Sequence, residues 1–305
     1  MAKVDLPRHG PVPIGEVADP VFVRLPDPLK LFALRAGRFG GLAQDHHLKP
    51  YLLFLAELSR IQHEVQEGLL EPDPPEEAAL KQAHDFAMPP LDRGGFVQSP
   101  VFDRTLEGVL SRAVGIDMPE AAAVALSHVR SLDASERHQM VRSVLAYSIP
   151  METLAEHCFI AAALQVHFAR LAAQLDAASL VAVGDGACPV CGGPPATTLV
   201  VGWHGAHGSR YCSCGLCGTL WNYVRIKCVL CGSTKGIGYK EIDGGPGTIK
   251  AETCESCRGY VKILHSHKDP SLDCVADDVA SLGLDLLMRD AGYKRGGVNP
   301  FLVGY

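Results

Sequence analysis

The sequence contains CPVC at residues 188–191, CGLC at 214–217, CVLC at 228–231 and CESC at 254–257. In each Cys-x-x-Cys motif, the two-residue spacer permits a tight turn, or knuckle, that directs two sulfurs at one point. Two knuckles together complete a tetrahedral four-sulfur site, which suits zinc or iron. One motif would be weak evidence, but four in one segment predict two tetracysteine metal sites.

The motifs repeat with a constant period, because each cysteine of the first two motifs lies 40 positions before its counterpart in the last two. A fixed period indicates a duplicated unit, here knuckle, hairpin and knuckle. Consecutive motifs should therefore share a metal. The predicted ligands are Cys188, Cys191, Cys214 and Cys217 in the first site and Cys228, Cys231, Cys254 and Cys257 in the second. An interleaved pairing, in which the first motif joins the third, is the alternative, but it does not explain the repeat.

The spacing of the motifs predicts how many sites there are, but it does not decide which metal they bind or whether that metal is structural. Four-sulfur geometry suits zinc and iron alike, and most such sites are closed structural sites that allow a small module to fold. Cys212 lies two positions before the second motif and is either a buried strand residue or a reactive neighbour of the first site. Cys158 and Cys274 fall in predicted helices and are interpreted as packing residues.

Composition places the chain among ordinary globular proteins. Its 305 residues are 47% hydrophobic and 20% charged, with a net charge of −6. The first thirty residues lack the apolar run of an export signal, and no run of about 18 apolar residues predicts a membrane span. Without export, eleven cysteines indicate metal binding and not disulfides. We therefore expect a protein of the reducing cytoplasm.

A change of composition near residue 186 divides the chain. Residues 1–27 are Pro-rich and predict an irregular arm, and residues 28–185 predict a helical domain. Asp133 and Glu136 have the spacing of a capping box, and the last helix, rich in Ala and Leu, should be the central one. Helical periodicity places the helices near residues 28–40, 47–68, 76–87, 101–115, 120–131, 136–147 and 151–181.

The second part of the chain is predicted to form ribbons and a closing helix. Residues 186–226 and 227–268 are the first and second tetracysteine modules, and residues 269–305 contain a C-terminal helix, near 272–292, and a tail. An apolar face on that helix predicts that the modules dock on the helical domain. A helical domain followed by ribbon modules gives an α+β fold class. Strands are expected at residues 197–201, 220–226, 236–242 and 260–264.

The other candidate residues have mostly structural interpretations. The pairs His204 and His207, and His265 and His267, are interpreted as solvated loop histidines, and Asp277 with Asp278 as a solvated helix face. The sequence has no Walker-type phosphate loop, no serine nucleophile elbow and no His-Glu-x-x-His motif. It therefore contains no positive indication of catalysis.

Charge argues against nucleic-acid binding. Residues 188–268 contain nine Lys and Arg against four Asp and Glu, but four thiolates outweigh a divalent metal by about two charges in each site. The modules are therefore nearly neutral overall and the rest of the chain is acidic. Aromatic residues do not alternate with basic ones as stacking platforms would require.

The sequence resembles the bacterial formate dehydrogenase accessory protein family FdhE. The resemblance is carried by Cys-Pro-Val-Cys-Gly-Gly at 188–193, Arg-Tyr-Cys-Ser-Cys-Gly-Leu-Cys-Gly-Thr-Leu-Trp at 210–221 and Val-Arg-Ile-Lys-Cys-Val-Leu-Cys-Gly at 224–232. It extends to residues 31–36, 51–56, 276–287 and 292–301, so it spans nearly the whole chain. Val229 departs from the proline that is common after a first knuckle cysteine.

The resemblance implies a cytoplasmic maturation factor and not an enzyme. Members of this family are similar to dedicated chaperones that bind the catalytic subunit of exported, molybdenum-containing formate dehydrogenases. Their modules are rubredoxin-like, which implies two iron ions held by the eight motif cysteines, with zinc as the alternative. A rubredoxin-like electron-transfer protein and a nucleic-acid-binding zinc ribbon are the rival interpretations.

Overall fold

The computed structural model describes residues 20–302, and the first half of this range is helical. Its seven helices follow the predicted order, with ends that differ by a few residues. They are α1 (Pro28–Leu42), α2 (Lys49–Glu64), α3 (Glu77–Asp85), α4 (Pro100–Ala113), α5 (Glu120–Ser131), α6 (Ala134–Leu145) and α7 (Leu154–Ala172).

Local side-chain caps define the starts of two helices. The predicted capping box is present at α6, where the Glu136 amide donates to Asp133 Oδ1 at 2.9 Å and the Asp133 amide donates to Glu136 Oε2 at 2.9 Å. The helix therefore begins at Ala134, two residues before the predicted start. At α4, Ser99 Oγ accepts from the Phe102 amide at 3.2 Å. Each cap satisfies amides that have no partner within the helix.

The central position predicted for the longest helix is confirmed. Helix α7 is buried around nearly its whole circumference, from His157 to Ala172 with Leu171 as an exception. It is shorter than predicted, because the chain leaves the helix after Ala172 and makes a separate 3-10 turn at Ala177–Ser179. The Asp176 carboxylate accepts from the Ala178 amide at 3.0 Å and begins that turn.

The second half of the chain supplies seven strands of an eight-stranded sheet in the described residues, and the eighth strand comes from the N-terminal arm. The order of the sheet is β1-β4-β3-β2-β7-β6-β5, with β8 beside β7. The strands at 210–214, 249–254 and 294–295 were not predicted. The strands are β1 (Val23–Arg24), β2 (Pro195–Val200), β3 (Arg210–Cys214), β4 (Leu220–Asn222), β5 (Ile237–Lys240), β6 (Ile249–Cys254), β7 (Gly259–His265) and β8 (Lys294–Arg295).

The two predicted modules share this sheet. Strands β2 and β7 pair in parallel, with Val200 opposite His265, and so join the hairpin of one module to that of the other. A buried ion pair between Arg210 on β3 and Glu252 on β6 also links the modules. The guanidinium donates to the Lys227 carbonyl between them at 2.8 Å. The structure is thus α+β, with the modules packed on the helical domain in one continuous core.

The irregular arm predicted for residues 1–27 contains a strand. Val23 and Arg24 pair with Trp221 and Leu220 of β4, and Tyr211 Oη donates to the Val21 carbonyl at 2.7 Å. The arm is ordered here because the free edge of β4 offers hydrogen-bonding groups that the arm satisfies. Residues 1–19 lie outside the described part of the chain.

The predicted C-terminal helix is present, but it is shorter than 272–292 and is divided into two pieces. Two short helices, α8 (Ala276–Ala280) and α9 (Leu282–Asp290), meet at Ser281. The buried ammonium of Lys262, on β7, donates to the carbonyls of Asp278 at 2.7 Å and Ser281 at 3.1 Å. These carbonyls are satisfied by a side chain from another element, so the helix breaks at this point.

The solvated helix face predicted for Asp277 and Asp278 is wrong. The two residues are 1% and 0% exposed. Asp277 pairs with Arg38 of α1 at 2.6 Å, and Asp278 pairs with Arg295 at 2.5 Å and Lys262 at 3.2 Å. Burial of these carboxylates is tolerated because each has a cationic partner. The partners lie outside this helix in the sequence, so the helical periodicity of the segment gives no indication of them.

A buried histidine in α7 makes stability dependent on pH. His167 is 5% exposed, and its ring lies 5.7 Å from that of Phe96, 5.5 Å from that of Phe102 and 6.2 Å from that of Phe168. Burial, followed by the charge of Arg170, lowers the pKa of His167 to about 4. The unfolded chain binds this proton near pH 6.5, so the contribution to stability is present above that pH and declines as the pH falls toward 4.

We expect the free energy of unfolding to fall by about 1 kcal/mol through this residue between neutral pH and about pH 5.5. His167→Phe should weaken that pH dependence, measured as the urea midpoint at both pH values with metal content checked in parallel. His84→Phe, at an exposed position of α3, is the control and should leave the dependence unchanged. An unaltered slope in His167→Phe would contradict a neutral His167 in the native state.

Candidate metal centres

The structure brings the first four predicted ligands together. Cys188 Sγ lies 3.6 Å from Cys217 Sγ, and Cys191 Sγ lies 3.4 Å from Cys214 Sγ. All four sulfurs lie within 4.8 Å of one another. Disulfide sulfurs would be about 2.05 Å apart, whereas a tetrahedron with metal–sulfur bonds of about 2.3 Å has edges of about 3.8 Å. The sulfurs are therefore spaced as metal ligands would be.

The second four cysteines have the same arrangement. Cys228 Sγ lies 3.9 Å from Cys257 Sγ, and Cys231 Sγ lies 3.8 Å from Cys254 Sγ. Consecutive motifs thus supply each cluster, and the sulfurs are not grouped in the interleaved order. We call the two clusters site 1 (Cys188, Cys191, Cys214 and Cys217) and site 2 (Cys228, Cys231, Cys254 and Cys257).

The backbone reproduces the 40-residue repeat bond by bond. In site 1 the Cys188 amide donates to the Gly193 carbonyl at 2.8 Å, and in site 2 the Cys228 amide donates to the Ser233 carbonyl at 2.8 Å. Amides also point at sulfur, as from Leu230 to Cys228 Sγ at 3.4 Å. Such turns hold two sulfurs in place before any metal binds, which lowers the ordering cost of binding.

The residue after each motif has a left-handed backbone. Gly192, Gly218 and Gly232 have φ of 72°, 75° and 71°, and Arg258 has φ of 54° in the fourth knuckle. Glycine adopts this conformation without strain, but a side chain with a Cβ does not. Arg258 is the one non-glycine residue of the four, and its guanidinium pairs with Glu255 at 2.7 Å.

The two sites differ in their access to solvent. All four cysteines of site 1 are buried and belong to the main hydrophobic core, together with residues of the helical domain. In site 2, Cys228 and Cys254 are buried, but Cys231 and Cys257 are exposed. The repeated sequence therefore produces one enclosed site and one that solvent and small molecules can reach.

The helical domain holds site 1 through its backbone. The Leu91 amide donates to the Val190 carbonyl at 2.9 Å, inside the first knuckle. Gln165 on α7 donates from Nε2 to the Gly215 carbonyl at 2.7 Å, inside the second. Neither contact was predictable from the sequence, since a glutamine in a helix and a leucine in a loop have no local pattern that marks them. Through these contacts, the geometry of site 1 and the docking of the helical domain depend on each other.

The cysteine thiols respond to burial and to the knuckle amides. Burial raises the pKa of Cys188 well above its ordinary value. At Cys254, burial also raises the pKa, but the amides of Cys257 and Ser256 outweigh it and lower the pKa to about 7. Because thiolates and not thiols bind metal, loading of either site releases protons.

The three other cysteines are buried, as their structural interpretation requires. Cys212 is fully buried on β3, opposite Trp221, and Cys158 and Cys274 are 7% and 9% exposed. Burial raises the pKa of each of the three thiols to about 12. They are therefore neutral at physiological pH and are not poised to act as nucleophiles.

Three of the four histidines are solvated loop residues as predicted, since His204, His207 and His267 are exposed and lie in turns, and His265 is the exception. His265 is half-buried at the end of β7, and its ring centroid lies 5.3 Å from that of His267. The His267 ring lies 6.1 Å from that of His207, in the β2–β3 hairpin. The parallel pairing of β2 with β7 brings together residues that are far apart in the sequence. None of these histidines belongs to site 1 or site 2.

The fold and its sites define a class of protein. It is a two-centre tetracysteine protein in which tandem ribbons share a sheet and one centre is enclosed by a helical domain. The chemistry of the donor set fits a thiophilic metal in each site, since each has four sulfurs at tetrahedral spacing. Among residues 20–302, no helix combines the length and apolar character needed to cross a bilayer.

Comparison with known proteins identifies the family. Three family models match in succession: "FdhE, N-terminal" over residues 20–185, "FdhE, central domain" over 187–225 and "FdhE, C-terminal domain" over 226–302. The chain belongs to the FdhE family, as the sequence resemblance indicated.

Individual relatives agree over almost the full length. The chain is 49% identical to a protein FdhE homolog of Rhizobium meliloti over 297 residues, which covers 97% of each chain. It is 35% identical to the homolog of Stutzerimonas stutzeri, with 93% of each chain covered. The crystal structure of the FdhE protein from Pseudomonas aeruginosa matches with a TM-score of 0.83 and 31% identity, over 93% of this chain and 99% of that chain.

Proposed function

We propose that this protein is a metal-binding accessory protein that matures formate dehydrogenase in the cytoplasm by binding its catalytic subunit, and that it is not an enzyme. The observation that carries the proposal is the pair of four-sulfur clusters at tetrahedral spacing in a chain of the FdhE family. We propose the eight cysteines of sites 1 and 2 as ligands of two metal ions. The family resemblance favours iron over zinc.

Metal identity has a direct test. Protein purified from its native host without oxygen should contain two metal equivalents by mass spectrometry. Iron in four-sulfur sites gives a red protein whose visible absorption bleaches on reduction, whereas zinc gives a colourless one. Expression in rich medium is a poor test, because zinc ranks above ferrous iron in divalent affinity and can replace it. Two equivalents of zinc from the native host would overturn the assignment of iron.

Client binding is tested with the isolated catalytic subunit. We expect the metal-loaded protein to bind the purified formate dehydrogenase catalytic subunit in size-exclusion chromatography, and native pull-downs to recover that subunit. Recovery of ribosomal or polymerase subunits in its place would overturn the proposal. A folded metal-free variant that still binds the subunit would show that the metals do not shape the client-binding surface.

We propose different roles for the two sites. Site 1 is enclosed and held by Leu91 and Gln165, which suits a structural metal. Site 2 exposes Cys231 and Cys257, which suits metal exchange or a change of redox state. The exposure of site 2 is also what favours the rival electron-transfer function, and a reversible redox wave without any binding of the catalytic subunit would support that rival.

The difference in exposure predicts the order of metal loss. A chelator or thiol reagent should remove one metal equivalent rapidly and the second much more slowly, because reagents reach the sulfurs of site 2 without unfolding the core. Release can be followed with a coloured zinc or iron indicator. The variant Cys228→Ser with Cys231→Ser should lack the rapid phase and keep the slow one. A single phase for both equivalents in the native protein would contradict the predicted order.

A further inference from the structure

One end of the sheet has a charge pattern that the metal sites do not explain. No Asp or Glu occurs between Asp185 and Glu241, although five Lys and Arg residues lie in that interval. Two of these cations are neutralised by partners from outside the interval: Arg210 by Glu252, and Lys227 by Asp185 at 2.5 Å. The exposed Arg225 has no ion pair within residues 20–302, so its charge faces solvent.

The fold adds further cations around Arg225. Its guanidinium donates to the Gly208 carbonyl in the β2–β3 hairpin at 3.3 Å, and Lys268 donates to the Gly247 carbonyl at 3.1 Å. Burial, followed by the charges of Lys268, His267, Lys250 and Arg225, lowers the pKa of His265 to about 4. We call the surface formed by Arg225, Lys250, Lys268, His207 and His267 the cationic end.

Two carboxylates beside this surface, Glu241 and Asp269, already have cationic partners. Glu241 pairs with Lys250 at 3.1 Å. Asp269 follows Lys268 in the chain, but its carboxylate pairs with Arg38 of α1 at 3.4 Å and accepts from Ser271. In the described residues, Lys268 has no carboxylate partner and is exposed. The cationic end therefore has an excess of positive charge that the protein does not neutralise itself.

Strand register places both metal sites at the opposite end of the sheet. For site 1, Cys214 lies opposite Pro195 at one end of the β2–β3 pair, whereas Arg210 lies opposite Val200 at the other. For site 2, Cys254 lies opposite Gly259 at the corresponding end of the β6–β7 pair. The four residue steps from Arg210 to Cys214 separate these ends by about 14 Å, which is more than the Debye length of about 8 Å at physiological salt. The negative charge of metal-bound thiolates is thus held at a distance from the cationic end. The net charge of the modules is near zero, but it is the sum of a negative region at the metal sites and a positive region at the cationic end.

We propose that the cationic end is a docking surface for an acidic segment of a polypeptide, and that this segment belongs to the client. The proposal rests on the proposed function, which supplies a protein as the partner. The surface suits a peptide better than a nucleic acid, since the rest of the chain is acidic and would repel a long polyanion. Trp203, in the β2–β3 hairpin, already has Arg24 over its ring at 4.2 Å and contacts Tyr211, so its ring is less available as a stacking platform for a base.

The test uses a fluorescein-labelled hexaglutamate peptide and the full metal-loaded chain. Fluorescence anisotropy at low ionic strength should show saturable binding that salt weakens. Charge reversal by Arg225→Glu with Lys268→Glu should weaken binding about tenfold or more, which is about 1.4 kcal/mol. Arg104→Glu with Lys235→Glu, on α4 and near site 2, changes the same number of charges at exposed positions and is the matched control. Metal content must equal that of the native chain in every variant.

The outcomes separate the surface from the function. Loss of hexaglutamate and catalytic-subunit binding in the Arg225/Lys268 variant alone supports the proposal. Unchanged client binding in that variant, with the native chain binding the subunit, overturns the surface but leaves the proposed function intact. Failure of the native chain to bind the subunit, with hexaglutamate still bound at this surface, overturns the proposed function instead. Tighter binding of a single-stranded oligonucleotide than of hexaglutamate, lost in the same variant, would overturn an acidic peptide as the ligand.

Discussion

Replacing Cys188 and Cys191 with serine should abolish cooperative unfolding of the helical domain, whereas replacing Cys228 and Cys231 should leave a cooperative transition. The sulfurs of site 1 lie in the core that the helices share, and Leu91 and Gln165 bind the backbone of both knuckles. Structural metal of this kind contributes about 10–16 kcal/mol of apparent folding free energy, which equals or exceeds the net stability of a typical domain, about 5–15 kcal/mol.

Loss of site 2 should be local by comparison. Its exposed cysteines lie outside the main core, so the transition of the remaining structure should persist at a lower temperature. Circular dichroism melts and metal analysis of both double variants provide the measurement, and Cys158→Ser is the control for replacing a buried cysteine that lies outside both sites. A native-like melt in the variant of Cys188 and Cys191 would contradict a structural role for site 1.

Lys262→Met should destabilise the protein by about 3–5 kcal/mol, because it leaves buried carboxylates with too few cations. The ammonium is fully buried and pairs with Asp285 at 2.5 Å and Asp278 at 3.2 Å. Arg295 pairs with the same two carboxylates, so the four groups balance in charge. Removal of the lysine alone leaves a net buried negative charge and also frees the carbonyls of Asp278 and Ser281.

The comparison that isolates this effect is a double variant. Lys262→Met with Asp285→Leu restores charge balance between Arg295 and Asp278 and should recover part of the stability lost in the single variant. Lys81→Met, which breaks an exposed pair with Asp85 on α3, should cost less than about 1 kcal/mol. The measurement is the urea midpoint at neutral pH. Equal midpoints for Lys262→Met and Lys81→Met would show that the buried cluster contributes no more than a surface pair.

Elements defined by short-range patterns were predictable from the sequence. The order of the seven helices, the capping box of Asp133 and Glu136 and the central α7 follow from contacts between residues a few positions apart. The grouping of the eight cysteines was also predictable, because a knuckle is a local turn and the 40-residue repeat indicates that the second unit forms the same knuckles as the first. The division of the chain at residues 185 and 226 stays a prediction.

Errors arose where a distant partner decides the local structure. The helix expected over 272–292 breaks because Lys262, on another element, binds its carbonyls. Asp277 and Asp278 looked solvated because their partners Arg38 and Arg295 come from elsewhere in the chain. Strand β1 forms because a sheet edge is available to it. In each case the deciding contact leaves no periodic signal near the residue itself.

The sequence by itself determined which sulfurs can share a metal, because two residues of spacing and a 40-residue repeat restrict the geometry of each knuckle. Only the tertiary structure decided that site 1 is enclosed and site 2 is open, since burial depends on what packs against a turn and not on the turn. The tertiary structure also places the metal-bound thiolates and the cationic end at opposite ends of the sheet. Their charges nearly cancel when they are summed over the sequence, but in the folded protein they lie about one strand length apart.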